Sequence, residues 1–402
     1  TFFVMSKRQH AEANRPLDKL PCYINIGNFA CGNFYIPESF AQHYQKPIEL
    51  GTGGYGTVIS LEGKKGKNIA VKRFNKAFDT AKRAQRCFRE LQLLKAVSHE
   101  NIVKIKFVHT TDETMESLNS VYLTAEFCGE NLLFVLLQET EAKHYSLEAF
   151  QKMISELLRA LKYLNSANVI HRDLKPDNLA IADNGKLTLL DFGMARVIHE
   201  KLLHTNGPGT SYFRAIETIE FDTIARINDK KRVYDEKADI WSIGAILCQM
   251  LTGEMLFKEI KERDTALTRA IEICGPVPEN VIKRIDNSTV QEYLRKKNLN
   301  AERIDFLQYF LEGARFPKLR DDIEKSGDSV VDFIDRTLAF DLDARMSVDE
   351  ALAHRFLKDV REKKKEVLAH PDLSIPDVDD QTIEQWKASI WDIIQESPVQ
   401  FD

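Results

Sequence analysis

No apolar run in the 402 residues approaches the ~20 that a membrane-spanning helix needs. The six cysteines, Cys22, Cys31, Cys87, Cys128, Cys248 and Cys274, lie far apart and form no C-x-x-C pair. That spacing excludes a zinc ribbon and a dense disulfide scaffold, and predicts reduced thiols in an intracellular compartment. An excess of one charge sign is also missing. Fifty-six lysines and arginines against 61 acids leave −5, too near neutral for bulk attraction to nucleic acid or a membrane surface. Thr1-Phe2-Phe3-Val4-Met5, followed by Lys7-Arg8, lacks a signal-peptide core. There is no internal repeat and no low-complexity tract. A hydrophobic share of 43% beside 29% charged residues then excludes disorder and predicts a soluble chain with a packed core, longer than one compact domain needs.

The charge is unevenly spread. Residues 371–402 hold eight acids against Lys387 alone, so they carry −7 and everything before them +2. Residues 1–44 are mixed, show no clear period, and read as an N-terminal extension. From Pro47 short β-like runs appear: Ile48–Leu50, Val58–Leu61 and Ile69–Val71, punctuated by glycines. A helix is predicted from Asp79 to Val97, with Ala84, Phe88, Leu91 and Leu94 at helical spacing. Two further apolar runs, Ile102–Val108 and Val121–Phe127, read as strands. Beyond Gly129 the pattern turns helical. Phe150–Asn165 carries one apolar face, and Lys237–Leu251 is apolar almost all round, with Gly253 where a C-cap belongs. The order is a small β-rich unit with one helix, then a larger helical unit, with a boundary near Phe127–Glu130.

Three stretches carry chemistry. Gly51-Thr52-Gly53-Gly54-Tyr55-Gly56-Thr57-Val58 places glycines at G-x-G-x-x-G between two strand-like runs, where a backbone without Cβ can approach phosphates. Alone it reads equally as a plain hairpin, and a dinucleotide fold would need a helix after it rather than a strand. Fourteen residues after Val58, Lys72 sits in Ile69-Ala70-Val71-Lys72-Arg73-Phe74, with Ala70 and Phe74 on its own face. It either snorkels to solvent or stands in a cleft as a fixed cation. His171-Arg172-Asp173-Leu174-Lys175-Pro176-Asp177-Asn178 supplies an acid, a cation two places on, and an amide oxygen suited to a hard metal. Thirteen residues later, Asp191-Phe192-Gly193 ends the apolar run Leu187–Leu190 with a second metal-binding oxygen donor.

In this order the motifs resemble a eukaryotic protein kinase, from about Phe34 to Trp391. The likeness is greatest to the mitogen-activated protein (MAP) kinase family. It rests on Ile36-Pro37-Glu38, Asn178-Leu179-Ala180, Ile273-Cys274-Gly275-Pro276-Val277-Pro278-Glu279 in the long segment after Gly253, and the closing Gln385-Trp386-Lys387. The resemblance implies an α+β bilobal kinase fold. Its parts would be an extension (1–44), an N-lobe with hinge (45–128), a C-lobe with a MAP-kinase-like insert (129–357), and a C-terminal extension packing back on the domain (358–402). It further implies that Gly51, Thr52, Gly53, Gly54, Tyr55, Gly56, Val58, Ala70 and Lys72 hold ATP, with Glu126 and Cys128 bonding adenine through the backbone. Ala125 would leave a pocket open behind the adenine. Lys72 would pair with Glu90, Asp173 would accept the substrate hydroxyl proton, Lys175 would neutralise the transferring phosphoryl, and Asn178 and Asp191 would hold Mg²⁺. Glu217 would pair with Arg345, and Asp239 would brace the catalytic loop.

The chain also departs from the family. Where a MAP kinase lip carries Thr-x-Tyr, it reads Thr205-Asn206-Gly207, without the tyrosine. Arg86, Arg89, Arg172 and Arg196 nevertheless fall where the family gathers guanidinium groups around a phosphothreonine, which predicts a single-site switch at Thr205. Pro208-Gly209 replaces Val-Ala beside the substrate pocket, on which proline direction partly rests. The acidic docking cluster expected near 361–366 reads Arg361-Glu362-Lys363-Lys364-Lys365-Glu366, which predicts partners atypical for the family. The implied activity is transfer of the ATP γ-phosphoryl to protein Ser or Thr. The implied protein is a cytoplasmic or nuclear monomer with protein substrates and an upstream activating kinase, without nucleic-acid or membrane partners. The competing reading is a kinase-fold scaffold that binds partners without efficient turnover, supported by the altered lip, by Ile216 in place of the proline in the family's Ala-Pro-Glu (here Ala215-Ile216-Glu217), and by the rewritten docking patch.

Overall fold

Alternating burial along the early strands builds the first lobe. The structure, a computed structural model, describes residues 23–140, 144–197, 211–218, 235–258, 266–285, 288–371, 373, 375 and 381–397. Strands β3 (Tyr44–Thr52), β4 (Gly56–Gly63), β5 (Ile69–Phe74), β6 (Ile105–His109) and β7 (Tyr122–Glu126) form one antiparallel sheet in the order β3-β4-β5-β7-β6. In β5 the two-residue period sends Ile69 and Val71 to one face and Ala70 and Lys72 to the other, which is the cleft face. Helix α1 (Ala81–Ala96) opens on a Thr80 side chain that accepts from the Arg83 N–H, satisfying one of the free donors of the first turn. It buries Ala84, Cys87, Leu91 and Leu94 against the sheet.

The opposite face of the sheet is roofed by residues read from the sequence as an irregular extension. Strands β1 (Tyr23–Phe29) and β2 (Gly32–Pro37) form an antiparallel hairpin across Ala30-Cys31. A register shift between Asn25 and Gly27, with Gly27 at φ 153°, breaks the alternation that a strand assignment relies on. The hairpin still buries Phe34 and Ile36 with Phe40, Ile59, Leu61, Ile69, Val71, Phe107 and Tyr122 in a second, separate core.

The larger lobe is built on α2 (Leu147–Ser166) and α3 (Lys237–Thr252). Every residue of α3 from Ala238 to Thr252 is buried, and the helix stops at Gly253, whose φ of 78° lets its N–H return to the Gln249 carbonyl at 2.7 Å. Inside this lobe Arg345 donates to both oxygens of Glu217, at 2.5 and 3.1 Å, with both residues buried. Helix α4 (Ile383–Gln395) returns to the small lobe: Trp386 packs on Phe88 of α1 with ring centroids 5.2 Å apart, and Lys95 pairs with Glu396 at 3.0 Å. Among the described residues no cysteine is paired, and no helix is long and apolar enough to cross a membrane.

His109 lies buried in the roof, stacked on Tyr122 with centroids 4.8 Å apart, its ring Nε2 3.4 Å from the Tyr35 carbonyl. Burial pushes its pKa down to about 4, against a smaller upward pull from that carbonyl. Below pH 6.5 the unfolded chain takes up a proton that the fold excludes, so stability is full above 6.5 and falls as pH drops towards 4. His109→Phe keeps the stack and removes the titration. The loss of unfolding free energy between pH 7 and pH 5, measured by urea titration, should shrink by about 2 kcal/mol; equal losses in parent and variant would refute this.

Candidate active site

A cleft of about 590 Å³ lies between the lobes. Its upper wall is the β3–β4 turn, closed by the Gly53 N–H donating to the Gly56 carbonyl at 2.9 Å. A Cβ at Gly51, Gly53 or Gly54 would meet nothing within 4 Å, so these positions present bare backbone to open space. Gly56 differs: a Cβ there would sit 3.0 Å from the Arg73 carbonyl and 3.1 Å from the Lys72 stem. The loop thus ends in glycine because the lysine passes directly beneath it.

Lys72 does not snorkel. Its Nζ donates to Glu90 of α1 at 2.5 Å and lies 3.7 Å from Asp191 Oδ1. Burial alone would lower the Lys72 pKa, but Asp191 and Glu90 together raise it, so the ammonium is kept. For Asp191, burial raises the pKa and Lys72 and Arg86 outweigh it, bringing the carboxyl down to about 2. Asp191 also holds a φ of 51° and accepts from the Gly193 N–H at 3.1 Å.

The lower wall carries the other charges. Asn178 Nδ2 donates to the Asp173 carbonyl at 2.8 Å and to Asp173 Oδ2 at 3.0 Å, and Lys175 Nζ stands 3.3 Å from the same Oδ2. Both contacts engage one carboxylate oxygen. The loop is held from beneath by Asp239 at the start of α3, whose two carboxylate oxygens accept from the buried N–H groups of His171 and Arg172 at 2.8 and 2.9 Å. At the rear, Ala70 and Ala125 face each other across β5 and β7, and the cleft continues past their methyl groups to Leu94 and Leu123. Glu126 and Cys128 lie along the inner wall.

Every residue expected from the sequence to hold nucleotide or metal, or to act in the transfer, lines this one cleft. The regulatory set is expected around Thr205 rather than in this cleft. Thr205 lies outside the described residues. Arg89 and Arg172 are buried, and Arg196 lies on a short strand (Arg196–Val197) paired with Val169–Ile170. Arg86 has its guanidinium 3.5 Å from the Tyr55 ring centroid and 3.9 Å from Asp191 Oδ1, at the edge of the cleft. Sequence reading missed Leu50, Val103, Ala180 and Leu190, which add apolar surface to the cleft. Leu50 and Leu190 adjoin Gly51 and Asp191, so adjacency was their only signal.

Residues 44–357 match the protein kinase domain family. The chain is 31% identical over 356 residues to the mitogen-activated protein kinase pmk-1 of Caenorhabditis elegans, covering 88% of this chain and 86% of that one. It is 32% identical to mitogen-activated protein kinase 12 of Rattus norvegicus (86% of each chain), and 30% to mitogen-activated protein kinase 13 of Homo sapiens (89% and 90%). The chain belongs to the MAP-kinase-like protein kinases. It has the family's bilobal α+β fold and serine/threonine kinase activity, with ATP and Mg²⁺ as standard and with protein substrates and upstream kinases. The scaffold reading is not favoured. The cleft suits the two ligands: Asn178 and Asp191 offer oxygen donors for a hard cation, and Lys72 is the buried ammonium that an anionic phosphate chain needs.

The cleft wall is tightest at Gly129, which has φ 108° and passes so close to Ile181 that a Cβ would clash with its carbonyl oxygen. Gly129→Ala combines a backbone clash with a strained φ of order 1–3 kcal/mol. The expected outcome is a melting temperature lower by several degrees and weaker nucleotide binding; an unchanged melting curve would contradict it.

Proposed function

We propose that Asp173 is the base of the phosphoryl transfer, that Lys72, fixed by Glu90, grips the phosphates, and that Asn178 and Asp191 hold Mg²⁺. The observation that carries this reading is the division of the cleft. Lys72 bridges Glu90 and Asp191 on one wall, and Asp173, Lys175 and Asn178 meet on the other. With Oδ2 of Asp173 taken by Asn178 and Lys175, Oδ1 is left to accept the proton of an incoming Ser or Thr hydroxyl. Lys175 then stands beside the developing charge. Bound Mg²⁺ supplies the remaining positive charge on the phosphates. Chemistry of this kind is mostly positioning and electrostatic stabilisation, so loss of one charge is severe.

The finer reading concerns regulation, partners and boundaries. We infer a lobe division at 45–128 and 129–357, with 1–44 and 358–402 as extensions. We further infer a monomer of the cytoplasm or nucleus, with a switch at Thr205 and with proline direction. The docking face supports atypical partners, although less starkly than its sequence. Arg361 pairs with Glu366 at 2.6 Å and Lys365 with Glu362 at 3.0 Å, so much of the cluster is neutralised internally. Lys363 and Lys364 add positive charge at the same turn (Lys363–Lys365).

Transfer from Mg-ATP to Ser/Thr-Pro and Ser/Thr-nonPro peptides, compared in parent and Asp173→Asn, tests the chemistry. The variant should lose roughly a hundredfold or more in kcat, the range expected when a positioned base is removed; a fully active variant would remove Asp173 from its role. The peptide ratio reports proline direction. Binding titrations should show weaker affinity for a basic docking peptide than for an acidic one, and the reverse order would return the docking face to the family norm.

A further inference from the structure

The open space around Gly51, Gly53 and Gly54 means that the glycine loop has almost no packing of its own, so its position is set by a few tethers. Those near its tip come from the strand β5 exit and the first two turns of α1. The Asn75 N–H donates to the Tyr55 carbonyl at 3.0 Å, and Asn75 Nδ2 reaches the Gly53 carbonyl at 3.3 Å. Arg83 Nη1 donates to the Gly54 carbonyl at 2.8 Å and to the Asn75 carbonyl at 3.1 Å. The Tyr55 ring has the Arg86 guanidinium 3.5 Å from its centroid and that of Arg83 at 5.3 Å. Arg86 is itself fixed from below. It lies 3.9 Å from Asp191, and a Cβ on Gly193 would stand 2.5 Å from its Nε.

We propose that Arg83 and Arg86 are positioning residues for the transfer: through Tyr55 and the Gly54 carbonyl they hold the glycine loop over the phosphate end of the cleft. The inference rests on the reading of that loop as the nucleotide cover. The two arginines stand on the helix that also carries Glu90, so the loop, the Lys72–Glu90 pair and the metal-binding Asp191 share one rigid support. The cation–ring contact is well placed to matter because Arg86 is largely desolvated, where such contacts are strongest. A helix that shifts therefore releases the cover and the lysine together, rather than one after the other.

The test uses the full chain with Tyr55→Leu, Arg86→Leu, the double variant and Arg86→Lys. Two readouts apply: ATP kinetics, and hydrogen exchange at the amides of residues 52–57. Each leucine variant should raise the KM for ATP by roughly three- to tenfold, more than it lowers kcat, and should speed loop exchange by a similar factor. The double variant should be no worse than the poorer single, and Arg86→Lys should recover part of the loss. Strictly additive effects, or loop exchange unchanged in Arg86→Leu, would overturn the proposal. Tyr55→Leu lies at a loop tip away from both cores and keeps the test valid if Arg86→Leu fails to fold. Absence of ATP turnover in the parent itself would count against the assigned chemistry, while the exchange data would still decide for or against the clamp.

Discussion

The Lys72–Glu90 pair joins three parts of the molecule that have no covalent reason to meet: the sheet, the helix α1 and the turn at Asp191. Glu90 is 3% exposed, so its carboxylate is tolerable only while an ammonium stands against it. Remove the lysine and a charge is left buried; move the helix and Glu90 loses its partner, while Lys72 keeps only Asp191. The burial that makes the pair costly to form thus also makes it specific, since few alternative positions of α1 satisfy it. The same logic recurs below the cleft, where Asp239 is buried against two backbone donors and fixes the loop from His171 in one path.

Much of this was legible in the sequence because phosphoryl transfer constrains residue types at fixed spacing. The glycine loop, Lys72, the run from His171 to Asn178, and Asp191 each require a particular chemical group. The helices were legible for a different reason: Ala84, Leu91 and Leu94 repeat at the helical period, and Gly253 marks a left-handed cap. Glu217–Arg345 also emerged, although 128 residues separate the partners, because family resemblance supplies long-range pairings that periodicity does not.

What was not legible is the tertiary choice between competing partners. Arg86 belongs by position with arginines that would serve a phosphate on Thr205, which lies outside the described residues; within them its guanidinium stands against the Tyr55 ring and 3.9 Å from Asp191. Nothing in Arg-Cys-Phe-Arg-Glu says which of its two arginines will turn towards the cleft. The segment Arg361–Glu366 shows the same blindness to pairing, because a string of lysines looks more cationic than it is once Glu362 and Glu366 fold back on their neighbours. The β1–β2 hairpin was missed because Gly27 shifts the register, so its buried side chains follow no simple period.

That hairpin bears on how the protein is divided for laboratory work. The family match begins at residue 44, past both strands of the hairpin. A fragment cut at that point would bare Ile59, Leu61, Ile69, Val71, Phe107 and Tyr122, a contiguous apolar sheet face now sealed by Phe34 and Ile36. Patches of that kind on free proteins drive self-association. A catalytic fragment that keeps this face covered therefore includes Phe34 and Ile36 of β2, and the boundary set by similarity is not the boundary set by solubility.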